Sequence, residues 1–429
     1  MSQMTNDSAI RLTYRIETSG DIGRLAEKIA SDQSTGTFVA VPGETADLKA
    51  RCAARVVDIR MLEPHERPAY PQDAVTSEES RPYRRADVDV DFPLEVIGTD
   101  IAALLTIAFG GVFSVRGLSG ARIVGLRLPP AFIKAHPGPA FGIAGSRRLT
   151  NVYGRPLIGS IIKPALGLTP EQTAEVTREL VEAGADFIKD DEKMMNPGYA
   201  PLEARVRAVM PVVLDHEQRT GRKVMYAFGI SSADPETMLR QHDIVADAGG
   251  NAAVININSV GYGGLAFLRK RSRLVLHAHR SGWDMLTRHP DLGLDFSVYQ
   301  ALWRLLGIDQ FQVNGIGAKY WEPDESFLRS FRDCTTPLLS DDDRALPVVG
   351  SGQWGGQAPE TFARNGRSID LLYLGGGGIM GHPGGAGAGV RAITQAWEAA
   401  VGGIPLADYA REHPELAQAI AAFGEKGAQ

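Results

Sequence analysis

From Pro156 onward, short apolar runs alternate with helix-length segments. The runs start near Leu157, Asp186, Lys223, Ala253, Arg273, Gln310, Leu346 and Ile369. Intervals such as Pro170 to Ala183 and Pro201 to Glu217 carry a helical period. Eight βα units in about 250 residues predict a (β/α)8 TIM barrel of the α/β class. A doubly wound sheet also alternates, but it usually has fewer strands and a glycine fingerprint after the first. No GxGxxG follows Leu157–Ile162, so the barrel is favoured. Upstream the rhythm differs. Ile10–Thr18 alternates like a strand and Asp21–Ala30 is helical in pattern, while Thr37–Val41, Ala53–Ile59 and Ala121–Leu128 read as strands. Strands mixed with few helices predict an α+β sheet domain. Glu63–Arg85 reads as a loop, and the Pro/Gly-rich stretch His136–Gly145 as a domain boundary. The expected organisation is an N-terminal α+β domain over 1–140, the barrel over 141–405 and a helical tail over 406–429.

Composition narrows the classes of function. The 429 residues are 44% hydrophobic and 22% charged, ordinary for a globular chain. A net charge of -6 without like-charge blocks argues against nucleic acid or an anionic membrane as partner. Cys52 and Cys334 stand far apart and outside any Cys/His cluster, which speaks against a zinc site or a disulfide framework. The start, MSQMTNDSAIRLTYRIE, lacks a signal-peptide pattern, and no apolar run approaches a membrane span. The expectation is a cytoplasmic, soluble protein.

Barrel chemistry collects at the C-terminal ends of the strands. Those positions hold Lys163, the run Lys189-Asp190-Asp191-Glu192, Asn256 and Asn258, then His277, His279 and Arg280. Asn314 with Lys319, Ser351-Gly352 and the run Gly375–Gly378 follow. Taken singly, each has a structural reading. Lys163 is a surface lysine, the carboxylates are a helix N-terminus, His279 is a core histidine and the glycines are turns. Their shared confinement to one face of one barrel favours a site. Asp191 and Glu192 are hard oxygen ligands of the kind Mg2+ takes. Lys189 forms a salt bridge with them, or completes the set if carbamylated. Ser351-Gly352 and the Gly run offer backbone N–H groups where barrels bind phosphate. Lys163 is the candidate base. Metal, phosphate and lysine together describe enolisation of a phosphorylated ketose or keto acid.

The segments GSIIKPALGL, GADFIKDDE, LVLHAHR, VVGSG and GGGGIMGHP, with STGTFVAV near residue 34, resemble the RuBisCO large chain in order and spacing across essentially the whole chain. The resemblance implies a barrel with an N-terminal α+β domain, in a homodimer or larger oligomer whose active sites are shared between subunits. It implies Mg2+ held by carbamylated Lys189, Asp191 and Glu192. It assigns Lys163 to proton transfer, His279 and Lys319 to catalysis, and Thr37, Arg280, Ser351, Gly352, Gly376 and Gly377 to substrate and phosphate.

The departures identify a RuBisCO-like protein of type IV and not a CO2-fixing enzyme. Ala165 replaces a second lysine, Gly110-Gly111 lacks an asparagine, Asp32 replaces a glutamate and Phe38 a tryptophan. Asn314 and Trp283 stand where histidines are expected, and the loop before Lys319 is short. QFQVNGIGAKYWEPDESF and SGQWGGQAPET are similar to enzymes acting on 3-oxo-isoapionate 4-phosphate in apiose breakdown, by decarboxylation or by transcarboxylation and hydrolysis. Both run through a Mg2+-held enediolate. Two alternatives stand beside this reading. One is an enolase or isomerase of methylthio-sugar phosphates in sulfur salvage, with Trp283, Trp354 and Phe38 as its apolar pocket. The other is a non-catalytic binding protein on a retired enzyme fold.

Overall fold

The computed structural model describes residues 8–37, 39, 41–70 and 82–424. The chain divides into two compact units, one of residues 1–136 with 282–302, the other of 137–281 with 303–429. The division at His136 falls in the stretch read as a boundary. The segment 282–302, inside the span read as barrel, instead clusters with the first unit.

The first unit is built on a five-stranded sheet. Its strands are β1 (Ala9–Thr18), β2 (Arg55–His65), β3 (Tyr83–Pro93), β4 (Gly120–Arg127) and, from the later segment, β10 (Leu292–Leu294), in the order β10-β4-β1-β3-β2. β1 and β3 pair antiparallel with Leu12 opposite Val90. Ile10, Leu12, Tyr14, Val88, Val90 and Phe92 are buried on one face. The other face of the pair is a charge ladder: Arg11 bonds Asp91 at 2.6 Å, Arg15 bonds Asp87 at 2.8 Å, and Arg60 bonds Asp89 at 2.9 Å. Asp21 caps the helix Ile22–Asp32, which buries Leu25, Ala26 and Ile29.

Two readings of this region need correction. Glu63–Arg85, read as a loop, contributes the end of β2 and the start of β3, with 71–81 outside the described residues. Thr37–Val41, read as a strand, is irregular at Thr37, Val39 and Val41; Phe38 and Ala40 lie outside the described residues.

The second unit is the barrel. Its strands are β5 (Leu157–Ile161), β6 (Phe187–Lys189), β7 (Met225–Gly229), β8 (Ala252–Asn256), β9 (Val275–His279), β11 (Gln310–Val313), β12 (Leu346–Val349) and β13 (Leu372–Gly375). They close into one ring, β11-β12-β13-β5-β6-β7-β8-β9, with every pairing parallel. All eight apolar runs of the sequence become these strands. Leu157, Phe187, Met225, Val254, Val275, Leu346 and Leu372 join one buried cluster. The helix Pro170–Glu182 starts at a capping box of Thr169 and Gln172, and Leu202–Thr220 follows β6.

Polar residues at the N-terminal ends of the strands are consumed by structure. Asp186 takes the Arg155 guanidinium and the Ile158 N–H. Asp309 takes N–H groups of Phe141 and Leu276 with Arg269 at 3.0 Å. Chemistry is left to the opposite ends. Among the described residues no helix is long and apolar enough to cross a membrane.

Candidate active site

The run that follows β6 is divided by the alternation of side chains about the strand. Asp190 turns into the protein, where its carboxylate accepts from Tyr226 Oη at 2.8 Å, Gly229 N at 3.0 Å and fully buried Arg205 at 3.2 Å. It is a structural clamp. Asp191 faces the other way and meets Lys163 Nζ at 2.5 Å. Lys163 comes from the chain just past β5, the neighbour of β6, and a Cβ added to Gly376 would lie 3.7 Å from its Cε. Lysine, carboxylate and the glycine run after β13 therefore converge.

Lys189, the last residue of β6, is fully buried; its Nζ donates to Asp190 O at 2.8 Å and lies 3.6 Å from Glu192 Oε2. Burial pushes its pKa below the ordinary lysine range, against the raising influence of Glu192 and Asp191. The same Glu192 oxygen lies 3.4 Å from His279 Nε2. His279 Nδ1 accepts from Ser281 N at 3.2 Å, so the imidazole proton sits on Nε2 and points to Glu192. Burial, then the Lys189 and Arg280 charges, holds the His279 pKa well below its usual value, so the ring is a neutral donor near pH 7.

Arg280, next along, donates to buried Glu322 at 3.1 Å. Glu322 also receives Asn314 Nδ2 and Ser326 Oγ, tying β9 to the segment after β11. Lys319 lies in the loop after β11. Its N–H donates to Ser351 O at 3.0 Å, and its side chain runs along Gly352. Ser351 and Gly352 both take positive φ, 68° and 90°, a turn that Gly makes without strain and serine only at a cost of about 1–3 kcal/mol. Gln353 supports that turn, donating to Ile316 O at 3.1 Å and accepting from Tyr373 Oη at 3.1 Å.

Of the sequence-predicted residues, Lys163, Lys189, Asp191, Glu192, His279 and Gly376 form one group. Lys319, Ser351 and Gly352 form a second, with Gly377 opening the turn after β13. Thr37 lies in the first unit, hydrogen-bonded to Glu44 at 2.7 Å. Glu322, Tyr226 and Arg205 were missed. None of the three carried a sequence signal, because each is marked only by partners distant along the chain or across the strand.

Among the described residues no group of three or more His, Cys, Asp or Glu is placed to hold a metal ion. The donor set agrees with that: two carboxylates, with a buried lysine as the third member. The two oxygen donors fit Mg2+, and the lysine fits only as a carbamate, whose formation needs the neutral amine that burial favours.

Comparison with known proteins decides the family. The profile described as ribulose bisphosphate carboxylase large chain, catalytic domain, matches residues 142–423, and that of the N-terminal domain matches 2–132. The chain belongs to the RuBisCO large-chain family. It is 66% identical, over 98% of its length and 100% of the relative, to a 3-oxo-isoapionate-4-phosphate decarboxylase of Rhizobium rhizogenes. It is 44% identical, over 95% of its length and 97% of the relative, to a 3-oxo-isoapionate-4-phosphate transcarboxylase/hydrolase of Xanthobacter autotrophicus. A crystal structure of a RuBisCO-like protein from Burkholderia fungorum superposes with a TM-score of 0.89 at 41% identity, covering 96% of this chain and 99% of that one.

As a RuBisCO-like protein, the chain accounts for some of its departures. A Cβ at Gly110 would lie 2.5 Å from Gln33 Oε1, so the glycine pair admits the Gln33 side chain. Both line a cavity of about 540 Å3 in the first unit with Lys28, Asp32 and Arg116. The two described tryptophans read as an apolar pocket each pack on a neighbour within their own unit. Trp283 packs on Phe296 in the first unit, and Trp354 packs on Phe423 of the C-terminal helix at 5.7 Å. Phe38 lies outside the described residues.

Proposed function

We propose that this RuBisCO-like enzyme decarboxylates 3-oxo-isoapionate 4-phosphate, with Mg2+ and carbamylated Lys189 as cofactors. The observation that carries the choice of substrate is the 66% identity, over nearly the full chain, to a decarboxylase of that compound. The lower identity of 44% to the transcarboxylase/hydrolase favours simple loss of CO2.

The geometry suits the chemistry of a 3-oxo acid. Breaking its C1–C2 bond releases CO2 and leaves the electron pair as an enolate over C2, C3 and the carbonyl oxygen. A proton must then reach C2. Lys163 is the donor: its ammonium stands on Asp191 at 2.5 Å beside the Gly376 turn, where it is held but not buried. Asp191, Glu192 and the Lys189 carbamate would hold Mg2+, whose charge stabilises the developing enolate oxygen. Were Asp191 to hold the cation, Lys163 Nζ would be free of that carboxylate and available to carry the proton. His279 orients Glu192. Ser351, Gly352, Gly376 and Gly377 bind the phosphate through backbone N–H groups, with Arg280 adding charge and Lys319 closing the site. The assembly is a cytoplasmic homodimer or larger oligomer, with Thr37 contributed to the partner's site; solved relatives include a dimeric archaeal RuBisCO.

The test is CO2 release from 3-oxo-isoapionate 4-phosphate after preincubation with Mg2+ and bicarbonate. Turnover of a methylthio-sugar phosphate in its place, or carboxylation of ribulose bisphosphate at a comparable rate, would refute the assignment.

A further inference from the structure

Between β11 and the helix Asp324–Thr335 the chain runs through residues 314–323, a stretch that carries Lys319 and is fastened at both ends. Its outer part is open to solvent, with Tyr320 55% and Trp321 37% exposed, but Glu322, next along, is 6% exposed. The Glu322 carboxylate accepts from Arg280 Nη2 at 3.1 Å, from Asn314 Nδ2, and from Ser326 Oγ at 2.7 Å. Earlier in the stretch, Gly317 N donates to Asp324 Oδ1 at 3.0 Å, and Ile316 O accepts from Gln353 Nε2 at 3.1 Å. Lys319 N donates to Ser351 O, on the turn read above as a phosphate cradle. All of these groups lie in the second unit. A carboxylate is expensive to take out of water, and one needed only as a counter-ion keeps more of its hydration at the surface. Buried against Arg280, it fixes two things at once. It sets the plane of the guanidinium, whose donors form a rigid fork, and it ties down the far end of the Lys319 stretch.

We propose that Glu322 is a positioning residue for the phosphate end of the site. It orients the Arg280 guanidinium and pins residues 314–323, so that Arg280 and Lys319 are in place before the ligand arrives and the stretch is a fixed wall, not a lid. The proposal rests on the reading of Ser351, Gly352 and Arg280 as that phosphate end. Two other roles for Glu322 would leave different marks. If it only balances the Arg280 charge, its removal makes the mouth more positive and anions bind more tightly. If it only supports the fold, its removal lowers the melting temperature and the folded protein binds as before. Positioning predicts weaker binding in spite of the added positive charge.

The experiment measures binding of inorganic phosphate to the full-length protein by calorimetry, and hydrogen exchange over residues 315–321 by mass spectrometry, in wild type and Glu322→Ala. In wild type, saturating phosphate should change the exchange rate over 315–321 by less than about three-fold. A slowing of about ten-fold or more would reveal a lid closed by the ligand and overturn the proposal. Glu322→Ala should bind phosphate about ten-fold or more weakly, the loss expected when a charge-assisted contact is misaligned. Its 315–321 stretch should exchange about ten-fold or more faster, while the helix Leu202–Thr220 keeps the wild-type rate. Unchanged or tighter phosphate binding in the variant overturns the proposal, as does equal acceleration of both segments or a wild type that binds no phosphate. If Glu322→Ala does not fold, the wild-type exchange decides alone. CO2 release from the oxo acid is assayed separately. Weakened phosphate binding in the variant, with no CO2 release by wild type, would sink the reaction reading and spare this one. CO2 release by wild type, with phosphate binding unchanged in the variant, would do the reverse.

Discussion

Replacing Lys163 by methionine tests the reaction most directly. The substitution keeps the length and apolar stem of the side chain and removes its one charge. If Lys163 delivers the proton to C2, its loss costs the contribution of a general acid, on the order of 10² to 10⁴ in rate or about 3–5 kcal/mol of barrier. Two structural consequences accompany the kinetic one. Asp191, 1% exposed, loses its only basic partner within 4 Å among the described residues, while the lysine end of the pair is 35% exposed. The stability loss is therefore held to about 1–2 kcal/mol, well under the 3–5 kcal/mol of a fully buried pair. The Lys163 charge also helps hold the Lys189 pKa down, so the variant should keep less of Lys189 as neutral amine and need more CO2 to become activated. The assay is kcat for CO2 release at saturating Mg2+, with bicarbonate activation curves and calorimetric binding of inorganic phosphate. Expected are a kcat lower by about 10² or more, activation shifted to higher bicarbonate, and phosphate affinity within about three-fold of wild type. Turnover within a few-fold of wild type would show that another group moves the proton. Loss of phosphate binding would show that Lys163 holds the ground state instead.

The remaining predictions concern the carboxylates and the buried histidine. Asp191→Asn should abolish Mg2+-dependent activity while the melting temperature and circular dichroism stay near wild type, and retention of Mg2+ stimulation would remove Asp191 from the cofactor site. Arg205→Met strands the Asp190 carboxylate, 1% exposed, and should cost about 3–5 kcal/mol in urea unfolding. A loss below about 1 kcal/mol would mean that Tyr226 and Gly229 suffice to hold it. His277 is fully buried, and burial with the nearby Lys189 charge pushes its pKa down to about 3. Between that value and the unfolded one near 6.5 the unfolded chain binds more protons, so stability falls as pH drops. From pH 7 to pH 5 wild type should lose about 2 kcal/mol more than His277→Gln, and parallel unfolding profiles for the two proteins would refute the buried neutral ring.

The sequence by itself determined the barrel and which residues stand at the C-terminal ends of its strands. Each apolar run is short, bounded and followed by a helix, so the period of its own residues makes it a strand. A residue just past a strand is carried to the barrel mouth by chain connectivity alone. Lys163, Lys189, Asp191, Glu192 and His279 were legible for that reason.

What needed the fold was every property set by partners distant along the chain. β3 went unread: its first residues fell in the stretch read as a loop, and the aspartates of DVDVD are neutralised only when Arg11, Arg15 and Arg60 arrive from neighbouring strands. Asp190 and Asp191 are the same residue type side by side. Only the positions of Arg205, Tyr226 and Lys163 show that one is a clamp and the other meets the lysine past β5. Trp283, placed by sequence in the barrel span, lies in a segment that clusters with the other unit. The bonds of Glu322 were beyond any sequence pattern. A carboxylate shows which cation it holds only when the chain around it has folded.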